Sequence, residues 1–322
     1  MTSIAPIIDI SGYLAGDKSQ IPKITAEIDR AFRTSGFFQL VGHGISQSQI
    51  DGMIKQTAEF FALPDETKRK IHGKMRGYQS PELRESLSSL AKEGFFMGRH
   101  MPGRNRPIVE GNLWLKEEDA PGFRQTMEEY FAAMENLAVI LLRLIALGLG
   151  LEETYFDDFA KQPEGAVLCR FHRYHPTLPE EGDDVVGLEA HADTSAVTIL
   201  YQDGIGGLQV KNEKTGEFET IEPIPDAFVI NLGNMFARWT NDTYLAAEHR
   251  VLLPTDKFRY SAAYFMAGWL DQVIECLPQV LKAGEAPKYE TCTVEQLVTN
   301  FRKEIYDIHT PGATAYVTVE ES

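Results

Sequence analysis

The sequence has little cysteine, and its cysteines form no recognisable group. Three are present, Cys169, Cys276 and Cys292, and no two of them have the close spacing of a zinc-binding pair. Their odd number and wide separation indicate reduced thiols rather than a disulfide framework, which is typical of a cytoplasmic protein. We therefore expect the three thiols to be small core residues with no role in chemistry.

The sequence also lacks an apolar run long enough to cross a membrane. The longest apolar region, Leu137 to Leu149, is shorter than the roughly 18 residues that a span needs, and Arg143 interrupts it. Residues 1–11 do not show the basic and then apolar pattern of a secretory signal. A cytoplasmic location without a membrane role is the expectation.

Positive charge is scarce. The 322 residues include 31 Lys and Arg against 47 Asp and Glu, which gives a net charge of -16. A surface this acidic repels phosphate backbones and anionic lipid headgroups. We therefore expect a small-molecule partner, no nucleic acid and no membrane surface, with a monomer as the default assembly.

The first 150 residues have the periodicity of helices. Apolar residues at four-residue spacing, Ile24, Ile28 and Phe32, predict a helix over 21–35 that ends at Gly36. Other segments predict a strand at 37–41, a helix that begins at a Ser46–Gln49 capping box, a short helix from Pro64, an irregular stretch over 77–115 and a long helix over 121–149.

From about residue 166 the pattern changes to short β-prone runs that turn residues separate. These runs cover residues 166–175, 194–201, 207–212, 227–231, 249–253 and 260–266. Such spacing is typical of an antiparallel jelly roll. A helix over 293–306 follows, with Thr293 and Gln296 as a capping box. The expected fold class is α+β with a mainly β core, in which residues 1–150 form a helical N-terminal region and residues 151–322 form the jelly roll, as one structural unit.

Three residues in the second half have the chemistry of a metal site. His191 and Asp193 are two positions apart, so a strand would place both side chains on one face. His249 begins a later β-prone run that a jelly roll can bring opposite His191. Two imidazoles and one carboxylate on one face of an octahedral ion leave three open positions, which is the ligand set of non-haem iron(II) oxygenases.

A second pair has the chemistry of a carboxylate clamp. Arg259 and Ser261 lie two positions apart on the next β-prone run after His249. We expect a hairpin in which positions 249, 251, 259 and 261 share the interior face. A guanidinium there binds a carboxylate through two charge-assisted hydrogen bonds, and the hydroxyl adds a third. This is the clamp that a dicarboxylate needs when its other end chelates the metal.

These motifs together are similar to those of the isopenicillin N synthase-like branch of the iron(II)/2-oxoglutarate oxygenases. The resemblance includes the opening strand at 6–10, the GFF-type element at 36–45, the Gly-Asn-x-Trp segment at 111–114, His191-Ala-Asp193, His249-Arg-Val and Arg259-Tyr-Ser261. It runs from about residue 6 to residue 306, which is nearly the whole chain.

The resemblance implies a distorted double-stranded β-helix, a form of jelly roll, with flanking helices. It implies that His191, Asp193 and His249 bind Fe(2+), and that Arg259, Ser261 and Tyr174 bind 2-oxoglutarate, with O2 as the second co-substrate. The implied reaction is hydroxylation, desaturation or ring rearrangement of a small, specialised metabolite, with release of succinate and CO2. Two residues depart from the common pattern around Tyr174, namely His172 and His175.

Two other functions fit the same residues. A 2-oxoglutarate-independent iron oxidase of the same fold would use Arg259 and Ser261 for a carboxylate of its own substrate. A non-catalytic binding protein would keep the scaffold without the reaction. Candidate substrate contacts are His172 and the aromatic residues Phe96, Trp114, Phe171, Phe236 and Phe265, with Arg99, Arg104 and Arg106 in a segment that can cover a site.

Overall fold

Two mainly antiparallel β-sheets face each other at the centre of the structure. The structure is a computed structural model, and it describes residues 3–73, 75–80, 92–101, 111–177, 185–254 and 256–300. The strands are β1 (Ile7–Asp9), β2 (Phe37–Val41), β3 (Gly77–Gln79), β4 (Lys92–Gly98), β5 (Gly165–Tyr174), β6 (Val186–His191), β7 (Val197–Gln202), β8 (Leu208–Lys211), β9 (Phe218–Thr220), β10 (Phe228–Leu232), β11 (His249–Leu252), β12 (Arg259–Trp269), β13 (Val273–Ile274) and β14 (Cys292–Thr293).

The helices are α1 (Ser11–Leu14), α2 (Ile21–Thr34), α3 (Gln47–Ala62), α4 (Asp65–Arg69), α5 (Phe123–Gly148), α6 (Asp157–Lys161) and α7 (Asn234–Trp239), with helical residues also at 294–300. The larger sheet has eight strands in the order β1-β2-β10-β7-β12-β5-β4-β3, and the smaller has four in the order β6-β11-β8-β9. Strands β13 and β14 form a separate pair. This arrangement is the expected jelly roll with flanking helices.

The space between the two sheets is filled by side chains from alternate strand positions. Phe37, Tyr174 and Val229 of the larger sheet join Val210 and Val251 of the smaller sheet in one buried apolar cluster. Because neighbouring residues of a strand point to opposite faces, this cluster defines the inward face of the larger sheet. Residues at every second position along β4, β5, β7 and β12 share that face.

The opposite face of the larger sheet packs on the helices. Phe95, Phe171 and Tyr264 belong to a second apolar cluster that includes the buried side of α5. By length and composition alone α5 would be able to cross a membrane, but it contacts α2, α3, α6, β7 and β12 as a core helix does. Burial of this helix therefore covers one side of the sheet and leaves the inward face for the site.

A buried ionic cluster fixes β4 in the sheet. Glu93 is 3% exposed, and it accepts hydrogen bonds from Lys68 Nζ at 2.8 Å, Tyr78 Oη at 2.8 Å and Arg173 Nε at 2.6 Å. Burial opposes its ionisation, but hydrogen bonds from His175, Lys68 and Tyr78 and the charge of Arg173 outweigh that cost and lower the pKa of Glu93 from 4.5 to about 2.

Most of the predicted elements are confirmed. Helices α2, α3 and α5 and strands β2 and β5 lie within two residues of the predicted bounds. The box at Thr293 is complete, since Thr293 Oγ1 accepts from Gln296 N at 3.2 Å and Thr293 N donates to Gln296 Oε1 at 2.8 Å. At Ser46 only the N-cap bond of the predicted box forms, with Ser46 Oγ accepting from Gln49 N at 3.3 Å. Residues 294–300 are helical, as predicted for 293–306, and residues 301–306 of that prediction lie outside the described residues.

The irregular stretch predicted over 77–115 was wrong in part. It contains β3 and β4, and β4 is buried along its whole length. The sequence of β4, Lys-Glu-Gly-Phe-Phe-Met-Gly, begins with two charged residues and includes two glycines, which are poor strand formers. Tertiary packing between β3 and β5 overrides that weak local preference.

Candidate metal centre

Two histidines of the smaller sheet and an aspartate from the loop after β6 converge on one point. His191 ends β6, His249 begins β11, and the two are direct partners in the antiparallel pairing of these strands. Asp193 follows β6 in the adjoining loop. One ligand atom from each residue lies within 4.8 Å of the other two, which is close enough for all three to bind one ion. The predicted triad is therefore assembled, although Asp193 lies just beyond the strand rather than within it.

The backbone fixes how each imidazole presents its nitrogens. His191 Nδ1 lies 2.8 Å from the carbonyl oxygen of Glu189, and His249 Nδ1 lies 3.2 Å from that of Ala247. A carbonyl oxygen can only accept, so each Nδ1 carries a proton, and Nε2 is the nitrogen of each ring that is left to bind a metal. The Nε2 atoms of His191 and His249 lie 3.8 and 3.9 Å from Asp193 Oδ1.

Asp193 is held by the larger sheet. Its Oδ2 accepts hydrogen bonds from Thr198 Oγ1 at 2.6 Å and from Asn231 Nδ2 at 2.8 Å, and the three residues are buried. Because Oδ2 already has two donors, Oδ1 is the oxygen that faces the histidines. Outer hydrogen bonds of this kind orient a metal ligand and tune its basicity.

Gly233 permits the close packing of this loop. A Cβ at this position would lie 2.2 Å from the Ser195 carbonyl oxygen and 2.6 Å from that of Asp193. The neighbouring Asn234 N donates to Asp193 O at 2.7 Å. The turn after β10 therefore supports the backbone of the ligand loop directly.

The electrostatics favour the metal-binding forms of His191 and Asp193. Burial, and to a smaller extent the adjacent His249, lowers the pKa of His191 from 6.5 to about 4, so His191 is neutral at physiological pH. Burial opposes ionisation of Asp193, but the two imidazoles and the hydrogen bonds from Thr198 and Asn231 keep the pKa of its carboxyl below the usual value. Neutral imidazole and carboxylate ligands fit iron(II) well.

Arg259 lies on the inward face of β12, at the end of the site away from Asp193. Its side chain is 1% exposed, its Nε donates to the carbonyl oxygen of Gly206, and its Nη2 lies 3.5 Å from Gln202 Oε1. Its Nη1 is buried and has no hydrogen-bond partner in the described part of the chain. A buried donor without a partner is costly, and the carboxylate of a dicarboxylate such as 2-oxoglutarate would satisfy it.

Tyr174 and Ser261 lie beside Arg259, as predicted. Tyr174 is the strand partner of Arg259, and its ring centroid is 4.9 Å from the guanidinium carbon. Ser261 is buried on the same face, where it pairs with His172 of β5 and Gln202 of β7. The structure therefore brings the predicted co-substrate residues together at one closed end of the interior.

The hairpin predicted between His249 and Ser261 was wrong. Strand β11 pairs with β6 and β8 in the smaller sheet, whereas β12 pairs with β5 and β7 in the larger one. Positions 249, 251, 259 and 261 are nevertheless all buried, as the alternation predicted. The chain crosses from one sheet to the other between them, so the metal ligand and the clamp face each other across the interior.

The predicted substrate contacts separate into two groups. His172, Phe96 and Phe265 lie on the inward face, where the rings of Phe96 and His172 are 5.5 Å apart. The structure does not bring the other three predicted aromatic residues to that face, because they pack in the helix-side apolar cluster: Trp114, Phe171 and Phe236.

Two of the arginines proposed to cover the site, Arg104 and Arg106, lie outside the described residues. Arg99 is described, and it donates to Glu135 Oε1 at 2.6 Å and to the Gln162 carbonyl oxygen at 2.6 Å. Arg99 therefore joins β4 to α5 and to the loop after α6. Sequence reasoning did not select Thr198, Asn231 or Gly233, because their importance depends on contacts between distant strands.

Two protein-family models match the chain. The model described as "non-haem dioxygenase in morphine synthesis N-terminal" matches residues 5–117, and the 2OG-Fe(II) oxygenase superfamily model matches residues 163–268. The second match contains the metal triad, Tyr174, Arg259 and Ser261.

Curated relatives and solved structures agree with these models. A 2-oxoglutarate-Fe(II) type oxidoreductase of Emericella nidulans is 33% identical over 94% of this chain and 90% of its own length, and a 2-oxoglutarate-dependent dioxygenase of Monascus ruber is 34% identical over 90% and 92%. The crystal structure of a full-length Neurospora crassa protein in complex with alpha-KG and 5-formyluracil superposes with a TM-score of 0.81 at 32% identity, covering 92% of this chain and 95% of that one.

The names of these relatives, and the alpha-KG in the Neurospora crassa complex, favour a 2-oxoglutarate-dependent enzyme over the oxidase and binding-protein alternatives. The three residues of the triad are suited to bind the iron that the family uses, and the Nη1 of Arg259, which has no partner among the described residues, is suited to bind a carboxylate of the co-substrate. The chain belongs to the 2OG-Fe(II) oxygenase superfamily and is an Fe(II)/2-oxoglutarate-dependent oxidoreductase.

Proposed function

We propose that this enzyme oxidises a small molecule at an iron(II) ion bound by His191, Asp193 and His249, while Arg259 holds the distal carboxylate of 2-oxoglutarate. The observation that carries this assignment is the buried Nη1 of Arg259, which has no hydrogen-bond partner among the described residues and lies on the sheet that faces the triad. A dicarboxylate bound at both places satisfies that donor and chelates the metal. When bound, the iron together with 2-oxoglutarate and O2 would supply the chemistry for oxidation of a substrate C–H bond, with release of succinate and CO2.

The side chains have separate tasks in this scheme. The Nε2 atoms of His191 and His249 and the Oδ1 atom of Asp193 bind the metal, while Thr198 and Asn231 prevent the carboxylate from rotating. Two imidazoles and one carboxylate would hold the metal and would leave coordination positions for the co-substrate and O2. Asp193 and His249 are buried, whereas 31% of the His191 side chain is exposed, so the site is accessible on the His191 side.

Arg259 and its neighbours position the co-substrate. The guanidinium is fixed by Gly206 and by the Tyr174 ring, so little freedom is lost when a carboxylate binds. Ser261 lies two positions further along the same face, where its hydroxyl is placed to donate to the same carboxylate. Orientation of the co-substrate relative to the metal is thus the principal contribution of β12.

The substrate is inferred to be a small, specialised metabolite. The net charge of -16 opposes binding of nucleic acid or of anionic lipid surfaces, and relatives named for specialised metabolism support a small substrate. We also propose that the enzyme acts as a cytoplasmic monomer. Analytical ultracentrifugation of the purified protein tests the monomer, since a sedimentation mass near 36.1 kDa is expected.

The assignment is tested by mixing the metal-free protein with iron(II) and 2-oxoglutarate in the absence of O2 and recording the visible spectrum. Bidentate binding of a 2-oxo acid to iron(II) gives a weak charge-transfer band. We expect this band in the wild type, its loss in His191→Ala, and a much higher 2-oxoglutarate requirement in Arg259→Ala. A band that is unchanged in Arg259→Ala would place the co-substrate elsewhere, and a protein that does not bind iron would remove the enzymatic function.

A further inference from the structure

The turn after β7 holds the first residues of β12 through one residue, Asp203. The ladder between β7 and β12 ends at the pair Gln202–Ser261. Beyond that pair, Asp203 binds both backbone groups of Tyr260: Asp203 N donates to the Tyr260 carbonyl oxygen at 3.1 Å, and Asp203 Oδ2 accepts from Tyr260 N at 2.6 Å. Tyr260 is the residue between Arg259 and Ser261. Asp203 therefore fixes the backbone at the centre of the co-substrate clamp.

The other carboxylate oxygen of Asp203 shapes the turn that supports the Arg259 guanidinium. Asp203 Oδ1 accepts from Ile205 N at 3.2 Å. The next residue, Gly206, has a left-handed backbone with a φ of 87°, and its carbonyl oxygen accepts from Arg259 Nε. Because both oxygens of Asp203 are bonded, one side chain sets the position of the β12 backbone and of the carbonyl that holds Arg259.

Asp203 supports Arg259 without taking the donor that a co-substrate needs. The hydrogen bonds of Asp203 go to the backbone, while Arg259 Nη1 has no partner in the described part of the chain. Asp203 is partly buried. Burial raises the pKa of its carboxyl, and the hydrogen bond from Tyr260 N and the charge of Arg259 oppose that rise. The carboxylate thus lies in the field of the guanidinium and leaves Nη1 available.

We propose that Asp203 is a positioning residue that acts through Arg259, and that it determines how strongly the enzyme selects a 2-oxo acid with a distal carboxylate over one without. A guanidinium binds a carboxylate through two bonds whose strength depends on the direction of its N–H groups. When the turn and the start of β12 are loosened, binding must also order the guanidinium, and affinity is lost. This inference rests on the proposed function, because it assumes that Arg259 binds 2-oxoglutarate.

The test compares two probes that differ only at their distal end. One is 2-oxoglutarate, and the other is 2-oxovalerate, which has a methyl group in place of the distal carboxylate. Each is titrated into the anaerobic iron(II) protein, and the Kd is read from the visible band. The variant Asp203→Asn keeps the size of the side chain but has a single accepting oxygen, so one of the two backbone donors loses its partner. Asp203→Ala removes both bonds.

In Asp203→Asn the Kd for 2-oxoglutarate should rise about tenfold, which is the lower end of the effect of outer hydrogen bonds on a metal ligand. Asp203→Ala should weaken 2-oxoglutarate at least as much. The Kd for 2-oxovalerate, and the iron(II) affinity in a metal titration without any 2-oxo acid, should stay within about threefold of the wild type. A residue that merely stabilised the fold would not change the selectivity between the two acids.

The matched control is Asp9→Asn. Asp9 Oδ1 also accepts a backbone hydrogen bond in a turn, from Ser11 N at 2.8 Å, but it lies at the end of β1, the outermost strand of the larger sheet. Both Kd values should be unchanged in this control.

A double-mutant cycle tests whether Asp203 acts through Arg259. In an Arg259→Met background the guanidinium is absent, so the further change Asp203→Asn should alter the Kd for 2-oxoglutarate by less than about twofold. An unchanged or tighter 2-oxoglutarate Kd in Asp203→Asn, an equal loss for both acids, or additive effects in the cycle overturns the proposal. Absence of the visible band in the wild type with 2-oxoglutarate would instead refute the proposed function.

Discussion

Replacement of Arg259 by Met should weaken 2-oxoglutarate binding while leaving the stability of the fold nearly unchanged. Methionine fills a similar volume without a charge, and it removes a buried guanidinium whose Nη1 has no partner in the described part of the chain. The loss of the contact between Nε and the Gly206 carbonyl opposes this gain. A buried unsatisfied donor costs about 1–3 kcal/mol and a hydrogen bond to a charged group contributes about as much. The free energy of unfolding without 2-oxoglutarate should therefore change by less than about 1 kcal/mol.

The effect on the co-substrate should be large. A guanidinium that binds a carboxylate through two charge-assisted hydrogen bonds contributes about 3 kcal/mol in a buried site, which corresponds to about 100-fold in affinity. At a 2-oxoglutarate concentration 100 times the wild-type Kd, the wild type gains about 2.7 kcal/mol of stability. At the same concentration Arg259→Met would be half saturated and would gain only about 0.4 kcal/mol.

The assay is thermal unfolding of the anaerobic iron(II) protein with and without 2-oxoglutarate. With about 2 °C per kcal/mol for a chain of this size, the wild-type Tm should rise by about 5 °C and that of Arg259→Met by less than about 1 °C. Arg250→Met is the control, because Arg250 donates to Gln209 on the smaller sheet and should keep the full increase. If the Tm of Arg259→Met rises as much as that of the wild type, the assignment of Arg259 is refuted. If Arg259→Met is strongly destabilised without ligand, the reasoning about the hydrogen bonding of the Arg259 Nη1 is refuted.

Three further predictions follow from the contacts around the site. Thr198→Val removes one of the two hydrogen bonds to Asp193 Oδ2 and should weaken iron(II) binding by about 10- to 100-fold in a metal titration, whereas unchanged binding would show that this bond does not orient the ligand. Gly233→Ala places a Cβ 2.2 Å from a carbonyl oxygen of the ligand loop, so denaturant unfolding should show a loss of about 1–3 kcal/mol in stability, and a metal titration should show weaker binding. The control Gly204→Ala, whose Cβ would meet nothing within 4 Å, should change neither. The pKa of Glu93 is lowered from 4.5 to about 2, so its ionisation contributes about 3 kcal/mol to the free energy of unfolding above pH 4.5, and this contribution is lost as the pH falls toward 2. In Glu93→Gln the free energy of unfolding should depend less steeply on pH between 4.5 and 2, and an unchanged dependence would contradict the role of the ionic cluster.

Local sequence information was sufficient for the types of residue in the site and for the face on which they lie. His191, Asp193 and His249 are chemically suited to iron(II), and the alternation of buried and exposed positions in β11 and β12 placed His249, Arg259 and Ser261 inside. Such inferences succeed because ligand chemistry belongs to the side chain and alternation belongs to the extended backbone. The helices and their N-cap residues were predictable for a similar reason, since their signals lie within a few residues of one another.

Tertiary structure decided which sheet each strand joins. Alternation indicates that a side chain points inward, but it does not distinguish a hairpin from two strands on opposing sheets, so the pairing of β11 and β12 was predicted wrongly. It also decided that Phe171 packs on α5 while its neighbour His172 faces the interior, and that Thr198 and Asn231 meet Asp193. These contacts join residues far apart in the sequence. They form only when both sheets and the long helix are packed together, because that packing fixes which strands pair and in which register.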